Sequence, residues 1–571
     1  MMIKQAKVGH LLTATLLFYL LVPSCQSLQE ETSYDVIVYG GTPAGIMAAV
    51  EASKHGSKVL LIEQTQHLGG MCSSGLMTAE TEHMLDTTIT GLAKNFLVEL
   101  GNTYYDSAYF QTFHHGPEKQ FKKGKPAFYF ESNHFEEQCN RWVRDHNIEV
   151  LWEQRIKEVQ LDNGLIQQIV LTNGKTYQGK FFIDASYEGD LMALSGVSYA
   201  LGREAKSVYN EKLAGIRLID DTLSARTKDS NGKLLSYFSQ AKKLEPGSGD
   251  GRVMNFNFRP TLTKNKANQV PLYPPENYDP KEFDFLADYL EANPELKLGQ
   301  LIGVYSRGNQ KYEFNNQQRS LISLGMFGAN TEYTEGDRET REAVYQKHKK
   351  WTLGYLWFLA NDPRVPDALQ AEMNLWGFVK DQFADNQNFP YYLYIREGRR
   401  MKGDYIHTEK DIFKDREKED AIFLGSHWID CHHVQRIALS DSTFTNEGRI
   451  WEMVDRPYEL PYRALIPKAS ECKNLIVPVA ASFSHVAFCS YRLESTWMQA
   501  GHVAGLAASQ CIESTSFVQD LDIQTLQSTL VQEGMMLDNA ELGNWQDPER
   551  TTESLKYKGL NGRMYEYYES L

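Results

Sequence analysis

The sequence predicts an α/β fold, in which parallel strands with flanking helices are split by a long insertion of mixed α+β character. Three observations predict it. The apolar run "YDVIVY" leads through "GGTPAG", residues 40–45, into the small-residue run "IMAAVEASKHG", a strand, tight turn and helix in succession. A second strand-like run, "KVLLIE", ends in Glu63, 23 residues after Gly40. After residue 440 a strand pattern returns as "NLIVPVA", and a small-residue helix is predicted over residues 495–510.

In chain order, the first element is a targeting segment. Lys4 and Lys7 precede the apolar run "LLTATLLFYLLV", which is too short to span a bilayer, and "LVPSC" follows like a lipobox. Residues 1–25 therefore predict export from a bacterium to the periplasm or outer membrane with no transmembrane span, either with Cys25 as the site of a lipid anchor or, since Pro23 is unusual in a lipobox, by simple secretion. The loop 40–45 departs from the G-x-G-x-x-G dinucleotide fingerprint at Thr42. Gly40 allows the turn and Gly45 allows close helix–strand packing. With Gly41, Thr42, Pro43 and Ala44 they present a helix N-terminus to a pyrophosphate. Glu63 is placed to accept hydrogen bonds from ribose hydroxyls. Gly56 stops the helix, and "FFIDASYEGD", residues 181–190, reads as a buried strand running into a loop. The middle of the chain is rich in Tyr, Trp and Phe, with one clear helix predicted over 335–360. The expected organisation is a discontinuous nucleotide domain (34–204 and 440–515), an inserted substrate or cap domain (205–439) and a C-terminal extension (516–571).

The chain of 571 residues carries a formal charge of -15 and no basic stripe, which excludes a nucleic-acid binder. Its cysteines form no C-x-x-C pair and no zinc-finger spacing. An exported chain has room for one or two disulfides among them.

Several blocks together resemble the FAD-dependent oxidoreductases among the two-dinucleotide-binding-domain flavoproteins. They are "YDVIVYGGTPAGIMAA", "LLIEQTQHLGGM", "FFIDASYEGDLMALSGV", "YLYIREGRRMKGDY", "PYRALIP" and "SHVAFCSYRLESTWMQAGHVAGLAA". The resemblance implies a Rossmann-like FAD-binding domain with an inserted substrate domain, and FAD as cofactor. It implies that Gly69, Gly70 and Met71 pass under the flavin, and that Asp184, Ala185 and Ser186 meet the ribose and pyrophosphate. It also implies that the strand of Arg155 and Ile156 passes the adenine. The helix N-terminus near Ser495 and Met498 would face the flavin ring, where it stabilises charge on reduced flavin. Some relatives carry a xanthan-lyase label.

The resemblance implies an FAD-dependent oxidoreductase that passes a hydride from a small polar substrate, a sugar or glycoside, to flavin N5 and then to an electron acceptor the sequence does not name. A flavin-dependent isomerase or lyase with no net redox change, and a non-catalytic carbohydrate-binding surface protein, are the alternatives. His485 is the candidate base, with Arg492 and Arg396 as candidate catalytic or substrate-binding residues. Arg396 belongs to "REGRR", whose arginines suit a carboxylate or phosphate, or salt bridges. "SHWIDCHH" supplies His427, Asp430, His432 and His433, read as structural or substrate contacts, with no metal expected. Cys72 reads as a packed thiol.

Overall fold

The computed structural model describes residues 33–539 except 82–83, 105–123, 219–221, 230, 236, 241–243, 318–319 and 321. The export segment with Cys25 and residues 540–571 lie outside the described residues.

The main sheet is built as its pattern dictates. β1 (Ser33–Tyr39), β2 (Val59–Ile62), β3 (Glu149–Leu151) and β6 (Thr176–Asp184) run parallel in the order β3-β2-β1-β6. β1 and β2 are buried along almost their whole length, as apolar runs covered on both faces should be. Beyond β6 the sheet forks. β5 (Leu165–Leu171) pairs antiparallel with the first half of β6 and carries β4 (Ile156–Asp162) at its outer edge. The second half of β6 pairs parallel with the two-residue strand Leu475–Ile476, so the late strand predicted from "NLIVPVA" completes the early sheet.

A second, antiparallel sheet lies in the middle of the chain. Its strands are Gln269–Val270, Gly377–Val379, Thr261–Thr263, Lys311–Asn316 and Ile302–Ser306, in that order across the sheet. The predicted long helix is Arg338–Asn361, starting later than expected because Asp337 is its N-cap and accepts from Thr340 N.

Two helices decide the geometry of the site. α1 (Pro43–Lys54) follows the glycine loop, and a long helix near the C-terminus, Glu494–Ser514 and hereafter α2, packs across it. The predicted small face of α2 is what permits this. A Cβ on Gly501 would stand 2.1 Å from the Ala44 carbonyl oxygen, and one on Gly505 2.3 Å from that of Ala48. A separate short helix, His485–Tyr491, precedes α2. The described part of the C-terminal extension adds the helix Ile523–Gln532, which buries Leu526 and Leu530.

All six described cysteines are buried free thiols, so the one or two disulfides for which an exported chain has room do not form among them. No described helix is long and apolar enough to cross a membrane.

Candidate active site

β1, β2 and β6 end side by side, with Tyr39 paired to Ile62 and to Asp184, so the loops that follow gather at one edge of the sheet. Gly40 adopts φ +105°, and a Cβ there would meet Ser186 N at 2.8 Å and Ala185 C at 2.9 Å. Gly45 is tighter still, since its Cβ would stand 1.9 Å from the Gly40 carbonyl oxygen. Thr42 is the N-cap of α1: its Oγ1 accepts from Gly45 N (3.2 Å) and donates to the Ala185 carbonyl (2.8 Å). The departure from the glycine fingerprint is therefore a tie between the loop and the end of β6. Pro43 has no N–H and Gly45 gives its own to Thr42, so the Ala44 amide is left to face an anion at the helix end. Thr42→Val removes both hydroxyl bonds and should cost about 1 kcal/mol or somewhat more of stability. Thr42→Ser should stay near wild type in the same urea-unfolding comparison.

Glu63 is buried and oriented by four donors: Gly41 N (2.8 Å) on Oε2, and Thr65 N (2.7 Å), Thr65 Oγ1 (2.8 Å) and the Tyr392 hydroxyl (2.6 Å) on Oε1. Arg155 and Ile156 are close by: Gln154 N bonds the Glu63 carbonyl, the Arg155 guanidinium bonds Gln64, and Ile156 opens β4. Gly69 N donates to the Gly41 carbonyl at 2.7 Å. The Tyr187 hydroxyl accepts from Met71 N (3.0 Å) and donates to Glu494 Oε1 (2.6 Å), so the 69–71 turn meets the start of α2 through one side chain. A Cβ on Gly70 would lie 2.2 Å from that hydroxyl.

Asp184 does not reach outward. Its carboxylate accepts from Ser186 N, Ser186 Oγ and Met192 N, holding the turn that presents Ala185 and Ser186 to Gly40. Complete burial raises its pKa to about 7, against those three hydrogen bonds. A folded-state pKa above the unfolded value favours the fold below about 4, and that contribution is lost as pH rises through about 7. Asp184→Asn should flatten the fall in melting temperature over that window. An unchanged pH profile would contradict the assignment.

The N-terminus of α2 is buried, with Ser495 and Met498 both closed off from solvent. Burial first, and then the neighbouring Glu80, push the Glu494 pKa well up, against the hydrogen bond from Tyr187. Glu494 Oε2 and Trp497 Nε1 are buried without a hydrogen-bond partner. A cradle that only glycine allows, a free helix-end amide, an oriented carboxylate and orphaned polar atoms at a second helix end fit a dinucleotide carrying a polar ring system.

The three arginines of "REGRR" separate sharply. Arg399 pairs with Asp190 (2.8 Å) and Glu335 (2.7 Å), and Arg400 pairs with Glu397 and Glu204. Arg396 is fully buried and, among the described residues, donates only to neutral acceptors, the Asn255 carbonyl (2.7 Å) and Asn257 Oδ1. It lies over the Tyr394 ring at 4.4 Å, and Arg492 donates to the Tyr394 hydroxyl at 3.3 Å. Arg492 also binds Asp430 through its carbonyl (2.8 Å) and carboxylate (3.2 Å). Burial opposes ionisation of Asp430, but Arg449 above all, with a hydrogen bond from the His432 imidazole and with Arg492, holds it well below the usual range.

His485 donates from Nδ1 to Glu397 (2.9 Å) and faces Cys431 Sγ through Nε2 (3.5 Å). Burial works against its charge, yet Glu397 and Cys431 raise it to about 10. Cys431 falls to about 6, because its bonds to Cys489 and His485 outweigh burial. His485, the expected base, is thus held as an imidazolium, which gives a proton rather than takes one. Cys431, His485 and Cys489 offer ligand atoms within 4.8 Å of one another, but each is engaged in a hydrogen bond: Cys489 Sγ donates to the His485 carbonyl and Cys431 Sγ accepts from His485 Nε2. The residue the sequence undervalued is His432. Burial first, then Arg396, hold it well below its ordinary pKa, and Nε2 faces Asp430 at 3.5 Å, so it is a neutral imidazole beside a carboxylate. Cys72 is buried and its thiol is pushed well up, an inert packed group.

Residues 35–530 match the family described as FAD dependent oxidoreductase. The chain belongs to that family. This FAD-dependent oxidoreductase is an enzyme, and FAD is its cofactor. It is 56% identical over 39 residues to a digeranylgeranylglycerophospholipid reductase of Methanococcus vannielii, covering 7% of this chain and 10% of the relative. It is 48% identical over 44 residues to a vinyl phenol reductase of Lactiplantibacillus plantarum, covering 8% and 9%. The chain thus spans about a tenth of the length of these curated relatives. Among solved structures, a flavin-dependent brominase aligns over 88% of this chain and 83% of its own, at 14% identity and a TM-score of 0.34. A geranylgeranyl bacteriochlorophyll reductase-like protein from Thermoplasma acidophilum aligns over 88% and 84%, at 12% identity and a TM-score of 0.32.

Proposed function

We propose that this oxidoreductase oxidises a small polar substrate, a sugar or glycoside, at a site beside the N-terminus of α2. Bound FAD supplies the hydride acceptor at its N5. The glycine loop and the Ala44 amide would hold the pyrophosphate, Glu63 the ribose, and residues 69–71 and 494–498 the flavin end. The observation that carries the reading is the convergence of Tyr187, Glu494 and Glu80 on one another. It brings the 69–71 turn, the start of α2 and the Arg492–Tyr394 pair to one place.

His432 is the better base than His485, because a base must be neutral at the working pH. Its imidazole takes the substrate hydroxyl proton, and Asp430, facing Nε2, stabilises the cation that results. Arg396 and Arg492 orient the substrate, and the buried walls exclude water. The protein is exported, with Cys25 lipid-anchored, on the strength of the sequence of residues 1–25.

Anaerobic mixing of holoenzyme with a panel of sugars, glycosides and sugar acids tests this. Lasting loss of the flavin visible bands with an oxidised product is the expected result. Unchanged flavin across the panel would contradict the proposal, as would altered substrate with the flavin returned to its oxidised form.

A further inference from the structure

We propose that the buried guanidinium cluster around Tyr394 binds a substrate carboxylate, so that the substrate is an anionic hydroxy acid, such as a sugar acid, rather than a neutral sugar. This rests on the oxidoreductase reading above and narrows its substrate class.

Tyr394 is ringed by cations. Arg396 lies over its face at 4.4 Å, Arg259 at 5.1 Å, and Arg492 donates to its hydroxyl. Their charges are not equally met. Arg259 shares Glu313 with Arg307, and Arg492 shares Asp430 with Arg449. Arg396 makes no ion pair among the described residues, and its Nε is buried without a partner, as is the Nε of Arg259. Burial first, then Arg259 and Arg492, lower the Arg396 pKa to about 9, against the smaller opposing pull of Tyr394 and Asp430. An uncompensated buried guanidinium is costly to maintain, and a bound carboxylate is the planar group that a guanidinium fork matches.

The cluster stands where a substrate is needed. A Cβ on Gly75, in the turn that the flavin-side residues open, would lie 1.9 Å from the Arg259 carbonyl oxygen. Glu80, which accepts from the Tyr394 hydroxyl at 2.6 Å, also accepts from Glu494 N at the start of α2. Arg396 itself has no free surface, whereas Arg259 and His432 each keep 5% of theirs. The carboxylate therefore docks at the Arg259 edge, under the field of Arg396.

The test is titration of purified holoenzyme with glucuronate, gluconate and acetate, against glucose and glycerol, with inorganic phosphate as a second oxyanion. The readout is the flavin visible difference spectrum. Saturable perturbation by the carboxylates, at least about tenfold tighter than by glucose, is expected. Arg259→Gln and Arg396→Gln should each weaken it about tenfold or more while FAD content stays at wild type. Should Arg396→Gln fail to fold, Asn257→Ala, which removes the side-chain acceptor of Arg396 and the bond that the Asn257 amide donates to the Phe258 carbonyl but leaves the guanidinium in place, should weaken carboxylate binding in the same direction. Glucose binding as tightly as the acids, phosphate binding more tightly than any carboxylate, or variants that lose FAD while carboxylates leave the wild-type spectrum unmoved would each overturn the proposal. Protein that carries no flavin would instead sink the reading beneath it.

Discussion

Gly45→Ala should yield protein that no longer retains FAD. The added methyl would stand 1.9 Å from the Gly40 carbonyl oxygen, and Gly40 has no room to withdraw, with Ser186 N and Ala185 C already 2.8–2.9 Å from where its own Cβ would be. The loop, the start of α1 and the end of β6 must therefore move together. Overpacking of this kind costs about 1–3 kcal/mol in stability. Loss of the loop geometry should weaken FAD by about a hundredfold, roughly 3 kcal/mol. The measurement is FAD per chain after desalting, with melting temperature alongside. Gly56→Ala is the control. It has a left-handed φ of +82° but open space, so it should cost about 1 kcal/mol and keep its FAD. Retention of FAD by Gly45→Ala would show that the loop is not the cradle described.

Asp430→Asn should destabilise the protein by about 3–5 kcal/mol, because it strips the counter-charge from the buried Arg492 and from the largely covered Arg449 at once. On a fold worth about 5–15 kcal/mol, a loss of that size is visible as a lower urea midpoint and poor yield. The ion pair of Arg399 with half-exposed Glu335 is the comparison, and Glu335→Gln should cost less than about 1 kcal/mol. Equal, small losses in both variants would mean that the Asp430 network carries no special burden.

The difference between these two predictions is also the difference between what the sequence shows and what it hides. The glycine loop was legible because everything that defines it is local: a strand, a turn and a helix in succession, with Glu63 one strand later. The small face of α2 was legible for the same reason, although its partner α1 is far away in the chain. Thr42 was not, since its hydroxyl is explained only by Ala185, 143 residues on. "REGRR" gave three equivalent arginines, and their roles were set by residues from distant segments: Asp190 and Glu335 for one, Glu204 and Glu397 for another, Asn255 and Asn257 for the third. His485 looked like a free base because Glu397 and Cys431, which charge it, lie 88 and 54 residues away. His432 was read as a structural or substrate contact, since adjacent histidines in sequence say nothing of burial beside Arg396.

The visible absorption spectrum of the purified chain, with cofactor released by heat and quantified, tests the central claim most directly. The account predicts flavin bands and about one FAD released per chain. Protein without flavin bands, still colourless after incubation with FAD and desalting, would contradict it.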